Sequence, residues 1–302
     1  MTERSYHNAV MLHESVDALN IAPDGIYVDV TFGGGGHSRE ILSRLGTKGR
    51  LVAFDQDADA AANVPADDRL TFIAANFRYI KNYLRLHGIK SVNGILADLG
   101  VSSHQFDEPA RGFTIRQDAP LDMRMNQGEG KTAADVLNTY EEVKLASVLF
   151  HFGEFRNSRQ LARAIIEARE IKPLATSGDL FAALKKFTPL QNSQSFLARV
   201  FQAVRIEVNA EMDVLNEFLT SANELLATGG RLVVISYHSL EDRPVKLFMR
   251  TGDLTGKEFK DFYGNLLRPL KPLQAKAQTP TEVEVSLNNR ARSAKMRVAE
   301  KL

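Results

Sequence analysis

Ile26-Tyr-Val-Asp-Val-Thr-Phe-Gly-Gly-Gly-Gly-His37 passes from a largely apolar stretch straight into four successive glycines. The turn Pro23-Asp-Gly25 precedes it, so residues 26–31 read as a strand. His37–Leu45, with apolar residues at 41, 42 and 45, reads as the helix that follows. A glycine costs roughly 0.5–1 kcal/mol relative to alanine in an ordered element. A row of four therefore points to a ligand lying against bare backbone at a helix N-terminus. Arg50-Leu-Val-Ala-Phe54 reads as a second strand ending at Asp55. An acid there in an α/β sheet accepts hydrogen bonds from the ribose hydroxyls of an adenosine cofactor. The dinucleotide pattern G-x-G-x-x-G fails in both frames, because its third glycine would fall on Ser38 or Arg39. Nor do the four glycines run into the G-K-[ST] of a phosphate loop, since His37-Ser38 follows them. Glycines that serve only the turn are the bland alternative.

Outward from this loop, Leu70–Ala74 and Gly94–Ala97 read as further strands, the latter ending at Asp98, with 58–63 and 77–87 as helices between them. Strand and helix in alternation predict a parallel α/β sheet. From Phe106 to Phe187 no strand is predicted. Thr132-Ala-Ala-Asp135 has the hydroxyl and acid of a helix start, and helical spacing follows at 141–150, 158–171, 177–187, 195–208 and 211–227. Arg231–Ser236, after Gly229-Gly230, is a strongly apolar strand, and 293–299 a last one. The reading is an α/β domain over 1–105 and 209–302, carrying an inserted helical domain over 106–208.

Composition narrows the function classes. At 302 residues, 44% hydrophobic and 25% charged, the chain can bury a substantial core. It has no cysteine, which removes disulfides, thiolate nucleophiles and cysteine-held zinc or iron–sulfur clusters. No run approaches 18 apolar residues, and the first eight residues carry charge where a signal peptide needs an apolar core. A cytoplasmic protein without membrane contact is expected. Net charge is only +1, but residues 266–302 hold eight basic and three acidic side chains, a local surplus of +5. That surplus suits either a solvated face or a polyanionic partner. Histidines 7, 13, 87, 104 and 151 show no metal-ligand spacing, and no metal is expected.

Asp29 inside the first strand, followed by Gly33, Gly35 and Gly36, resembles the acid-plus-glycine loop of S-adenosylmethionine-dependent methyltransferases. A more specific resemblance is spread over the chain. His7-x-x-Val-Met-Leu-x-Glu14, Thr31–Ser38, Asp98-Leu-Gly-Val-Ser-Ser-x-Gln105, Arg111-Gly-Phe113, Pro120–Met125, Phe201–Ile206, Ile235–Arg243 and Arg290-Ala-Arg-Ser293 look like the blocks of the bacterial ribosomal small-subunit RNA methyltransferase H family, also called MraW. They occur in the family's order. The resemblance implies a class I, Rossmann-like fold with an inserted helical domain. It also implies methylation of the N4 amine of a cytidine in the decoding region of 16S ribosomal RNA, with S-adenosylmethionine as donor and the small ribosomal subunit as the setting. His104 and Asn289 stand where the family often has proline.

The resemblance carries cofactor binding onto Gly35, Gly36, His37, Asp55, Phe77, Asp98 and Gln105. His37 can equally matter only through its backbone N–H, and Phe77 can equally be core. Asp98 closes a strand at the carboxyl edge of the sheet, where ligands bind, and is the leading candidate to accept a hydrogen bond from the target amine. His238 is a second catalytic candidate, with a structural strand-end histidine as its alternative. Tyr237 and Ser239 are candidates to cradle the base. Arg111, Arg116, Arg124, Arg290 and Arg292 (with Arg297 beside them) are candidate RNA phosphate contacts. Two other functions fit the same residues: a methyltransferase acting on DNA or protein, and a non-catalytic RNA-binding or ribosome assembly factor.

Overall fold

The computed structural model describes residues 9–302; His7, which opens the first motif, lies outside the described residues. The chain divides into two compact units, 1–100 with 212–302, and 101–211. The sequence placed these divisions at 105/106 and 208/209.

The first unit is built on a seven-stranded sheet: β1 (Ile26–Asp29), β2 (Arg50–Asp55), β3 (Leu70–Ala74), β4 (Val92–Asp98), β5 (Leu226–Ser236), β6 (Leu270–Pro272) and β7 (Lys295–Lys301). Their order is β3-β2-β1-β4-β5-β7-β6. The first five pair with one another in parallel, and β7 is antiparallel to both β5 and β6. The inner strands β1, β2 and β4 are buried on both faces over most of their length, as a parallel sheet covered by helices requires. Successive residues take opposite faces. Val28, Val52, Ile95 and Val234 join Ile80, Leu84, Phe218 and Phe248 in one core. Tyr27, Leu51, Leu96 and Val233 join Val16, Ile41 and Leu42 in the other. The order reverses between β1 and β4, so the carboxyl ends of these two strands flank the switch point at which open α/β sheets bind ligands.

Several elements differ from the sequence reading. Residues 58–63 and 77–79 are 3₁₀ turns rather than α-helix, each too short to repay α-helix nucleation. β5 begins at Leu226, so Gly229-Gly230 lies inside it; its register against β4 shifts between Val92 and Gly94. Helix Ser239–Thr251 was not read, because Pro244 stands inside it, although Val245, Phe248 and Met249 give it a buried face. Helices Leu12–Ala18 and Glu282–Leu287 are too short for a clear period.

The second unit contains helices Ser103–Asp107, Ala133–Thr139, Glu142–His151, Ser158–Ile171, Ser177–Leu184 and Ser193–Val208. They surround their own core, in which Leu137, Leu145, Leu161, Ile165, Leu180 and Val200 are fully or nearly fully buried. Thr132 and Asp135 form the expected capping box, and Thr176 and Asp179 form another.

Candidate active site

The glycine loop is held from behind by Asp29. That carboxylate is fully buried and accepts from the Ser38 hydroxyl at 2.7 Å and the Thr31 backbone N–H at 3.1 Å. Gly35 caps helix Gly36–Arg44 in the left-handed region at φ +75°, which explains one glycine without any ligand. A Cβ there would lie 2.8 Å from Phe32 Cζ, and one on Gly36 would lie 2.8 Å from Ala9 Cβ. Close packing by the protein's own side chains thus accounts for both positions. The His37 ring is buried and lies 3.1 Å, through Nε2, from the Val10 carbonyl. The imidazole is committed to the fold, which leaves the helix-start N–H as the part that can meet a ligand.

Asp55 ends β2 and turns back over the loop. One oxygen accepts from Gly33 N–H at 2.7 Å and the other from Asp57 N–H at 2.8 Å. A carboxylate oxygen has two acceptor sites, so each retains capacity for a further donor. Burial pushes the Asp55 carboxyl up to about 6, against the two backbone hydrogen bonds. Phe77 is half-buried and meets Phe218 edge-on, with centroids 5.2 Å apart. It packs against the core as well as facing outward.

Asp98 ends β4, and its backbone N–H donates to Thr31 Oγ at 2.7 Å, tying it to the end of the first strand. Its Oδ1 accepts from the Tyr237 hydroxyl at 2.7 Å. Burial raises the Asp98 carboxyl to about 6; the neighbouring His37 and the Tyr237 hydrogen bond oppose that rise. Burial, and then the charge of Asp98, hold the Tyr237 phenol well above its ordinary range, so it stays a donor. Tyr237 is itself fixed by Glu241, which is 2% exposed and accepts the Tyr237 backbone N–H at 2.8 Å.

His238 takes a different position from the one expected of a base. It is the N-cap of helix Ser239–Thr251: its Nδ1 accepts from the Glu241 backbone N–H at 3.3 Å, and its Nε2 lies 3.2 Å from Glu241 Oε1. Those contacts assign the proton to Nε2 and occupy both ring nitrogens in building the helix start. Glu241 itself was missed. The signal was present, since a polar residue followed by glutamate three positions on is the capping-box spacing.

The remaining candidates separate. Gln105 belongs to the helical unit, where it is buried and forms a capping box with Ser102. Arg111 is not a surface cation. It is 3% exposed, and its Nη2 donates to the carbonyls of Arg124 and Met125 at 3.1 and 3.0 Å. Arg124 is half-buried and forks onto Asp122 at 3.0 and 2.8 Å. Arg116, Ser239 and Arg292 are exposed, and Arg290 is half-buried in the turn Asn289–Ser293. Arg297 is bidentate to Asp242 at 2.6 and 3.0 Å. Among the described residues no helix is long and apolar enough to cross a membrane.

Comparison with known proteins adds to this geometry. The sequence model of the MraW methylase family matches residues 4–302. Ribosomal RNA small subunit methyltransferase H of Flavobacterium johnsoniae is 57% identical over 301 residues, covering 100% of this chain and 99% of the relative. The protein of the same name from Bacteroides fragilis strain YCH46 is 56% identical over 299 residues, covering 99% of this chain and 98% of its own.

Proposed function

The chain belongs to the MraW methylase family, and from that premise we propose that it is an S-adenosylmethionine-dependent methyltransferase of small-subunit ribosomal RNA, acting on the N4 amine of a cytidine in the decoding region of 16S RNA. Relatives bearing that methyltransferase name span nearly their whole length on this chain. The cytidine assignment rests on the motif blocks that this sequence shares with the family.

The residues fit such a donor. S-adenosylmethionine supplies a methyl group on a cationic sulfur, open to in-line displacement by a nucleophile. Asp55 retains acceptor capacity on both oxygens for ribose hydroxyls. Asp29 lies close enough to raise the carboxyls of both Asp55 and Asp98, an acidic surround that suits a positive charge.

The observation that carries the reaction is the Asp98–Tyr237 pair at the end of β4. A cytosine amine is a poor nucleophile because its lone pair is delocalised into the ring. Asp98 accepts one amine hydrogen, which orients the nitrogen and returns electron density to it. Tyr237 holds Oδ1 at 2.7 Å and leaves Oδ2 to the amine. A carboxyl at about 6 is ionised at neutral pH and basic enough to take the proton that a methylated, cationic amine releases. Glu241 and Thr31 act only by positioning these two groups.

Asp98→Asn tests this arrangement. It keeps an oxygen for Tyr237 and places a donor where the amine needs an acceptor. Methyl transfer at saturating donor and RNA falls by roughly 10²–10⁴-fold, a loss that saturation separates from the weaker donor binding that calorimetry would read. Unchanged turnover would remove Asp98 from the chemistry. A wild-type protein that binds donor and RNA but transfers nothing would favour the assembly-factor reading.

A further inference from the structure

A cleft of about 280 Å³ opens in the first unit between helix Ser239–Thr251, residues 275–279 and β7. Its lining is Lys246, Lys276, Lys295 and Arg297 with Ala275, Ala277 and Thr279, and contains no carboxylate. The outer wall is fixed: Gln278 and Met296 exchange backbone hydrogen bonds at 2.9 and 2.8 Å, which pins 275–279 alongside β7. Arg297 is neutralised by Asp242, one turn before Lys246 on the same helix. The three lysines are exposed, and none forms an ion pair among the described residues. Three like charges around one concavity repel each other, and an anion placed among them relieves that cost.

We infer that this cleft is a docking site for the phosphodiester backbone of an RNA strand. The inference rests on the RNA-methyltransferase reading and extends it to residues outside the candidate active site. Lysines, as flexible point charges, suit tracking a backbone rather than reading base edges. Lys276 and Lys295 also belong to the 266–302 segment with its surplus of +5, so the cleft accounts for part of that surplus. Arg297, held by Asp242, lines the cleft and contributes shape more than free charge.

The test compares two triple variants of the full chain. One carries Lys246→Ala, Lys276→Ala and Lys295→Ala. The other removes three exposed lysines outside the cleft, Lys48→Ala, Lys90→Ala and Lys185→Ala. Binding of a fluorescent 16S RNA fragment is followed by anisotropy across a salt series, alongside melting temperature and donor affinity. The cleft variant is expected to lose about tenfold or more in RNA affinity, and its log–log salt slope to flatten by about 2, at roughly 0.7 per phosphate contact on a single strand. The control keeps most of the wild-type slope, and both variants keep the wild-type melting temperature and donor affinity. Equal losses in the two variants, or none in either, would overturn the cleft and leave the methyltransferase reading intact. Loss confined to the cleft variant, in a protein whose wild type binds RNA without methylating it, would uphold the cleft and overturn that reading instead. Lys→Arg at the three cleft positions restores affinity if charge is what matters.

Discussion

Asp98 is taken out of water and given a phenol, not a guanidinium, as its hydrogen-bond partner. Its carboxyl is therefore raised from 3.8 to about 6 in the fold, and that shift has a stability consequence of fixed sign. Below pH about 4 the group is protonated in both folded and unfolded chains, and burial of the charge costs nothing. As pH rises towards 6 the unfolded chain releases its proton more readily, so stability is lost until the folded group also ionises. Asp98→Asn has no proton to lose and keeps its acceptor for Tyr237. We expect the variant to be more stable than wild type at pH 8 by about 1–3 kcal/mol, with the gap closing near pH 4. Thermal unfolding at the two pH values checks this, and a gap independent of pH would contradict it. The same substitution that disables transfer should thus stabilise the ligand-free protein, a trade expected where a site stores an unfavourable charge.

At the scale of elements, two local structures set the site. The first is the glycine turn into helix Gly36–Arg44. Gly35→Ala places a Cβ at φ +75° and within 3 Å of Phe32 and Arg39; a loss of about 1–2 kcal/mol in the melt, from the left-handed backbone alone, is expected, together with weaker donor binding. An unaffected melt would mean that the turn relaxes. The second is the start of helix Ser239–Thr251. Asparagine is among the best N-caps, so His238→Asn should preserve most of turnover, whereas His238→Ala should cost about 1 kcal/mol of stability. A collapse of turnover in His238→Asn would reinstate the imidazole as a proton carrier. These elements also show what the sequence made legible. The run from Ile26 to His37 reads at once as strand, loop and helix, because an apolar strand, glycines and helical spacing are all local signals. The cap at His238 was legible only as capping-box spacing to Glu241; that both ring nitrogens serve it depends on Glu241 folding back onto the turn. Arg111 looked like a surface cation for a similar reason: only the fold reveals the carbonyls of Arg124 and Met125 that surround it.

For the whole molecule, a near-zero net charge conceals a division of labour in the first unit. Buried and half-buried carboxylates gather at the carboxyl ends of β1, β2 and β4, while lysines without ion-pair partners among the described residues gather in the cleft beside β7. An acidic strand-end cluster suits a cationic donor and a basic cleft suits a polyanionic acceptor, so a sum of +1 carries less information than where the charges lie. The helical unit 101–211, with a core of its own, was legible as the place where strand alternation ceased; its contribution to substrate choice was not, since helical periodicity encodes burial rather than partners. The most direct measurement supplies labelled S-adenosylmethionine and the purified protein to small ribosomal subunits from cells lacking it, then identifies the modified nucleoside in the 16S RNA by mass spectrometry. Label recovered as N4-methylcytidine from a decoding-region fragment is the expected result. Label on another nucleoside, or no transfer by a protein that binds the donor, would contradict the assignment.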